Sequence, residues 1–235
     1  MATLILFDVD GTLTATNAAD AKCYAAAFAH VFGMLLPTTD WGVYAQSTDS
    51  GIIHEVMKKA RGHKASQKEL DAFERSFVFE LEQEFAANPD GFREIPGARA
   101  LLDAIAARPG MRAGIASGGM RASASYKLSR IGVDATRFPA AFANDSISRE
   151  GIVESAIARA DGPYDDIVYV GDGPWDVKTS ATMGMRFVGI SGDAPAEKMY
   201  ALGARICLQD FSDPEIFFEA VKSAEAPVAS ISLRK

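Results

Sequence analysis

Short apolar runs that end abruptly in Asp, Ser or Gly recur along the chain. Leu4–Phe7 ends at Asp8, Ala113–Ala116 at Ser117 and Gly118, Ile167–Val170 at Gly171 and Asp172, and Arg186–Ile190 at Ser191 and Gly192. Ala140–Ala143 and Ala204–Leu208 are weaker runs of the same kind. Uninterrupted runs of this length suit strands buried on both faces, as in a parallel sheet. Helical spacing fills the gaps. Ala98–Ala107 carries Leu101, Leu102 and Ile105 on one face, and Ser123–Ile131 and Gly151–Ala160 read similarly. Strand alternating with helix predicts a doubly wound α/β domain. Ligands of such sheets bind beyond the carboxyl ends of the strands, where the polar residues just named fall.

Residues 16–92 break this alternation, with helical patterns and no convincing strand. Asn17 is placed to cap a helix bearing Tyr24, Phe28, Val31 and Phe32, which Gly33 closes. One of Ser47, Thr48, Asp49 or Ser50 caps a second helix, with Ile52, Ile53, Val56 and Met57 as its apolar positions. Leu70, Phe73, Phe77, Leu81 and Phe85 mark a third, stopped by Asn88-Pro89. The expected organisation is an α/β core of residues 1–15 and 93–225 and an all-helical cap of residues 16–92 inserted after the first strand. A weakly ordered tail is expected at 226–235. The junctions fall near Thr14–Thr16 and Phe92–Pro96.

Composition narrows the partners. A formal net charge of -7 argues against a broad electrostatic grip on nucleic acid or anionic lipid. No run approaches the ~20 apolar residues that cross a bilayer. The first apolar stretch is interrupted at once by Asp8 and Asp10. Cys23 and Cys207 lie far apart and outside any metal-ligand spacing, which fits a reduced pair in a cytoplasm. A cytoplasmic protein is expected, with no nucleic acid or membrane partner and with its oligomeric state open.

Two acidic pairs carry the chemistry. In Asp8-Val9-Asp10-Gly11-Thr12, strand alternation sends Asp8 and Asp10 to one face. Two neighbouring carboxylates repel, so at neutral pH they need a cation or a shared proton. Mg²⁺, which prefers hard oxygen ligands, meets that need. Gly11 permits the sharp turn out of the strand. Asp172 and Asp176 form a second pair after another buried strand. Either pair alone reads as a polar turn, with Asp176 as a helix cap. Together they point to an acidic metal site assembled from separate loops. Ser117-Gly118-Gly119, between a strand and a helix, offers a hydroxyl and free N–H groups to an anion.

Asp8 to Thr12, Ser117, Arg149, and Gly171-Asp172 through Asp176 resemble the four ordered motifs of the haloacid dehalogenase-like hydrolase superfamily. The helical insert is similar to that superfamily's first class of cap. Ile95-Pro96-Gly97 and Ser47-Thr48-Asp49 resemble its phosphoglycolate phosphatase and β-phosphoglucomutase branch. The resemblance implies that Asp8 attacks phosphorus and that Asp10 serves as acid and then base. It implies Mg²⁺ on Asp8, on Asp172 and on the Asp10 main-chain carbonyl, with Asp176 in support. Thr12, Ser117 and Gly118 would hold the phosphoryl oxygens. The family's third motif is usually a lysine. Here Arg149, 23 positions before Asp172, takes its place, and pairing with Glu150 or Glu154 is the plainer reading.

The function implied is hydrolysis of a small phosphorylated metabolite through an aspartyl phosphate. The alternatives are a sugar phosphomutase of the β-phosphoglucomutase kind and a non-catalytic binding protein on the same fold. Thr16, Lys22, Thr48, His54, Lys58 and Lys59 are the cap's candidate substrate contacts, and Trp41, Tyr44 and Trp175 are candidates to line the crevice.

Overall fold

The computed structural model describes residues 2–192 and 196–228. Six parallel strands form one sheet in the order β3-β2-β1-β4-β5-β6. They are β1 (Thr3–Phe7), β2 (Met111–Ala116), β3 (Ala140–Ala141), β4 (Asp166–Gly171), β5 (Arg186–Ile190) and β6 (Cys207–Leu208). Every apolar run predicted as a strand is one, and the two weaker runs give the two-residue edge strands. β1 sits in the middle, with Phe7 in register with Ile115 on one side and Val170 on the other.

Side-chain alternation along β1 feeds two cores. Ile5 and Phe7 pack with Leu101, Ile105, Phe211 and Phe217 on one face, while Leu4 and Leu6 pack with Ile152, Val177 and Phe187 on the other. The first face is covered by α4 (Ala98–Ala107), α5 (Arg121–Arg130) and α9 (Pro214–Ser223); the second by α6 (Arg149–Arg159) and α7 (Pro174–Met183). α8 (Glu197–Ala201) is a short turn near β6.

Between β1 and α4 lie α1 (Asn17–Phe32), α2 (Asp49–Arg61) and α3 (Gln67–Ala87), with short 3₁₀ turns at Trp41–Val43 and Pro89–Gly91. They share a separate core of Tyr24, Phe28, Ile53, Phe73, Phe77 and Leu81. Complete burial of one such side chain is worth roughly 1.5–3 kcal/mol, so this layer has a driving force of its own. The caps follow the sequence with one exception. Gly33 closes α1 in the left-handed conformation, Thr48 caps α2, and Ser66 with Glu69 forms a capping box on α3. Asn17 does not cap α1: Thr16 holds that place, and the Asn17 amide is drawn to Asp172 instead.

The two crossings between layer and sheet run side by side. Ala15 N–H donates to Arg93 O (2.8 Å) and Ile95 N–H to Leu13 O (3.0 Å). The end of the described chain also has contacts. Phe187 N–H donates to Glu225 O (3.1 Å) and Val228 N–H to Gly203 O (3.3 Å), while the rest of the expected tail lies outside the described residues.

Candidate active site

The carboxyl ends of β1, β2 and β4 meet at the middle of the sheet and set three loops around one point. Asp8 leaves β1, Ser117 leaves β2 and Asp172 leaves β4. Asp8 is 3% exposed, and its N–H donates to Val170 O (2.9 Å), which ties the first loop to the fourth strand. Gly11 turns the chain at φ +76; a Cβ there would meet Asp172 Oδ2 at 1.9 Å, so only glycine lets the two acidic loops approach.

Oxygen atoms of Asp8, Asp172 and Asp176 lie within 4.8 Å of one another. Asp8 Oδ1 and Asp172 Oδ1 are buried with no hydrogen-bond partner among the described residues. Two buried carboxylate oxygens left without partners in this way are costly unless a cation joins them, and hard oxygen donors suit Mg²⁺. The residues therefore fit the ion. Burial, reinforced by Asp176 and Asp8, holds the Asp172 carboxyl well above the usual range in its absence. Asp10 is outside this trio by its side chain.

Asp176 has a different place. It is wholly buried at the start of α7. Its Oδ1 accepts from Arg149 Nη1 (2.6 Å) and the Tyr169 hydroxyl (3.1 Å), and its Oδ2 from Gly173 N–H (2.9 Å). Burial pushes it up to about 7 against the pull of Arg149. With both oxygens engaged, Asp176 anchors Arg149. It is the third residue of α7's first turn and not its N-cap.

Arg149 opens α6 and points into the site. Nη1 lies 3.5 Å from Asp8 Oδ2, and Nε donates to Ser47 O (3.0 Å) in the helical layer. Burial alone would lower its pKa; Asp176 and Asp8 outweigh that and hold the guanidinium charged. Its partners are these two aspartates, and not Glu150 or Glu154. Gly118 makes room for the guanidinium, since a Cβ there would meet Arg149 Nη2 at 2.6 Å.

Asp8, Asp10, Ser117, Gly118, Gly119 and Arg149 share one small cavity of about 50 Å³, lined on the helical side by Trp41, Ser47, Asp49 and Ile52. Ser117 is buried and its Oγ accepts from Gly119 N–H (3.2 Å), which leaves its own proton to donate. Thr12 is fully buried and its hydroxyl has no hydrogen-bond partner among the described residues, but it does not line this cavity. A wider cleft of about 540 Å³ runs along Gly11, Asp172 and Ser191; Asn17 borders both spaces and donates to Asp172 Oδ2 (3.1 Å).

The helical layer is clamped over the cavity. Asp49 N–H donates to Gly118 O (2.8 Å), and Asp49 Oδ2 accepts from Met120 N–H (2.7 Å). Thr48 donates to Ile147 O (2.7 Å) and Ser50 to Ala143 O (2.8 Å). Of the candidate contacts in the layer, Thr16 reaches the site and donates to Asp10 Oδ1 (2.5 Å). Lys22 pairs with Glu84 and Lys59 with Glu55 on the outside, Lys58 is exposed, and His54 faces a different cavity. Trp41 and Trp175 line the site; Tyr44 instead donates to Thr38 O.

Sequence reasoning passed over Lys127. It is wholly buried on α5, with Nζ at 2.5 Å from Asp10 Oδ2 and ion-paired to Asp20 of α1. Burial would lower its pKa, but the two carboxylates more than reverse this. The available signal was its spacing: Ser123, Ala124, Lys127 and Leu128 form one buried face.

The haloacid dehalogenase-like hydrolase family matches the chain over residues 2–184. No curated protein matches it at the sequence level. Among solved structures, a hydrolase from Pseudomonas syringae is 18% identical with a TM-score of 0.72, covering 94% of this chain and 99% of that one. CbbY from Rhodobacter sphaeroides in complex with phosphate is 21% identical with a TM-score of 0.68, covering 91% and 96%. A variant of CbbY in complex with xylulose-(1,5)bisphosphate is 19% identical with a TM-score of 0.67, over the same shares. At these identities the likeness is one of fold. The match over most of the length, on a sheet whose central loops carry these aspartates, makes the chain a member of the haloacid dehalogenase-like hydrolases.

Proposed function

We propose that this hydrolase is a magnesium-dependent phosphatase of small phosphomonoesters, working through an aspartyl phosphate on Asp8. The observation that carries the reading is Asp8 itself: buried at the centre of the sheet, with Oδ1 unpartnered, Arg149 beside Oδ2, and Asp10 and Ser117 in the same cavity.

The Asp8 carboxylate attacks phosphorus, and the bond from phosphorus to the alcohol oxygen breaks. Asp10, fixed by Thr16 and Lys127, gives its proton to the departing oxygen. Asp10 then takes a proton from the water that attacks the phosphoryl group, which restores Asp8 and releases phosphate. Arg149, Ser117 and Gly118 hold the phosphoryl oxygens and offset their charge. Thr12 would add a hydroxyl from beneath the loop. Mg²⁺, bound by Asp8, Asp172 and the Asp10 main-chain carbonyl, would supply charge neutralisation and alignment of the phosphoryl group. Arg149 replaces the usual lysine with a planar fork held by Asp176 and the Ser47 carbonyl.

Residues 16–92 act as a cap that opens on the paired crossings near Ala15 and Ile95. Its contacts with Gly118, Met120 and Ile147 are those of a closed state, so water is excluded while the ester is cleaved. No described helix is long and apolar enough to cross a membrane. A cytoplasmic enzyme acting on a diffusible metabolite is the setting we propose.

A phosphomutase needs a second phosphate-binding group under the cap, and the basic run from Lys58 to Lys64 lies on the outer surface. The test is phosphate release from a panel of phosphomonoesters with and without Mg²⁺, with Asp8→Asn as control. Release that needs both Mg²⁺ and Asp8 supports the phosphatase. Isomerised sugar phosphate without release supports the mutase, and a folded protein inert across the panel supports the binding protein.

A further inference from the structure

A second group of cations gathers away from the catalytic cavity, in a chain whose net charge is -7. An open cleft of about 580 Å³ runs beside β3, the two-residue strand at the edge of the sheet. Arg112, Arg121, Arg137 and Arg159 line it, together with the hydroxyl residues Ser125 and Thr136, and none of the residues lining it is acidic. The four arginines come from β2, α5, a 3₁₀ turn at Ala135–Arg137 and α6, so the fold and not a local run of sequence brings them together. The cleft shares no lining residue with the cavity around Asp8.

The guanidinium groups are held by contacts that leave most of their charge in place. Arg112 Nη1 donates to Ala160 O (2.8 Å) and Arg159 Nη1 to Ala140 O (2.7 Å). The Arg121 group lies over the Phe142 ring, 4.9 Å from its centroid. Carbonyl oxygens and ring faces orient a guanidinium without neutralising it. Asp145 accepts from both Arg121 and Arg159, at 2.8 Å each, so one carboxylate serves two cations. Arg137 meets Asp103 at 3.9 Å with both side chains exposed, where an ion pair contributes little.

Charge beside an edge strand discourages pairing with another chain, which is the plainer use of an arginine here. That purpose asks for charge on the edge, and not for four planar forks around one concave space. Such forks match phosphate oxygens two at a time. Four of them carry more N–H donors than the oxygens of a single phosphate accept, which favours a chain of phosphates.

We propose that this cleft is a second anion site and that it binds a compact polyphosphate, as the bare chain or as the tail of a nucleoside. The site goes beyond the phosphatase reading and does not depend on it.

Binding is measured by calorimetry in excess chelator, so that no divalent ion ties a probe to Asp8 and Asp172. The probes are orthophosphate, tripolyphosphate and adenosine triphosphate. One variant, Arg112→Gln with Arg137→Gln, spares the Asp145 bridge. The other, Lys58→Gln with Lys59→Gln, removes the same charge from the exposed face of α2. Tripolyphosphate should bind about tenfold or more tightly than orthophosphate, and the arginine variant should lose about tenfold while the lysine variant loses little. Adenosine triphosphate binds more tightly than tripolyphosphate if the nucleoside is read, and equally or less tightly if the chain alone is. Should the double arginine variant fail to fold, Arg137→Gln alone, a change at an exposed side chain, must show a several-fold loss. Absence of polyphosphate binding, orthophosphate bound as tightly as the chain, or arginine variants no weaker than the lysine variant would overturn the inference and leave the arginines as guards of the edge strand.

Discussion

Lys127 Nζ stands 2.5 Å from Asp10 Oδ2, although the two residues are 117 positions apart, one on α5 and the other in the loop that follows β1. The same ammonium group holds Asp20 of the helical layer, so one buried cation links the proposed acid/base residue to α1. Removing it would leave both carboxylates without their ion-pair partner. Breaking a buried ion pair from one side costs about 3–5 kcal/mol. Lys127→Met should lose stability on that scale in a denaturant titration, and adding Asp20→Asn should recover part of the loss. In folded protein the single variant should also lose kcat, by roughly 100-fold if Asp10 shifts by an ångström. Wild-type stability in Lys127→Met would show that the pair contributes nothing.

Arg149 holds wholly buried Asp176 at 2.6 Å and faces Asp8. From sequence alone, loss of Arg149 would be expected to cost rate more than folding. The geometry changes that expectation, because Asp176 has its strongest partner there. Arg149→Ala should therefore lose about 3–5 kcal/mol of stability as well as most activity. Arg149→Lys should regain much of the stability but less of the rate, since lysine cannot reproduce the fork to Ser47 O and Asp176. Paired melts and kinetics check both.

Asp20 is pushed up to about 6 from 3.8, chiefly by burial, with Lys127 pulling the other way. The folded protein thus keeps a proton in a pH range where the unfolded chain has released it. This group's contribution to stability is complete below about pH 4 and is lost as pH rises to about 6. Asp20→Asn should flatten the stability–pH curve over that window, measured by denaturant unfolding at fixed ionic strength. A curve that is unaltered would remove Asp20 as its source.

The orphaned Oδ1 atoms of Asp8 and Asp172 imply a protein destabilised by its own carboxylates until a cation arrives. Magnesium should raise the melting temperature, by an amount that grows with concentration as mass action requires. Asp172→Asn should weaken that response, and chelator should reverse it. A melting temperature indifferent to Mg²⁺ in the wild type would contradict the metal assignment.

The strands and their loops were legible because both-face burial leaves uninterrupted apolar runs, and the chemistry follows directly at their ends. Asp8, Asp172 and Ser117 could be placed together for that reason alone. Lys127 could not. A lysine among the Ser, Tyr and Arg residues of α5 reads as a solvated position, and its burial is set by Asp10 and Asp20 in other elements. Asn17 misled in the opposite direction: its type suits a helix cap, but Asp172 competes for the amide. The cap's lysines were plausible phosphate contacts until the apolar stripe of α2 turned Lys58 and Lys59 outward. Which face of a cap helix meets the cavity is a tertiary fact that local periodicity does not carry.

The proposed chemistry places the phosphoryl group on Asp8 during turnover. It is tested most directly by acid-quenching the Mg²⁺-loaded enzyme during acetyl phosphate hydrolysis and mapping the modified peptide by mass spectrometry. One phosphoryl adduct is expected on the peptide containing Asp8, absent from Asp8→Asn, which should be folded and inactive. Turnover by Asp8→Asn at the wild-type rate, or an adduct on another residue, would contradict it.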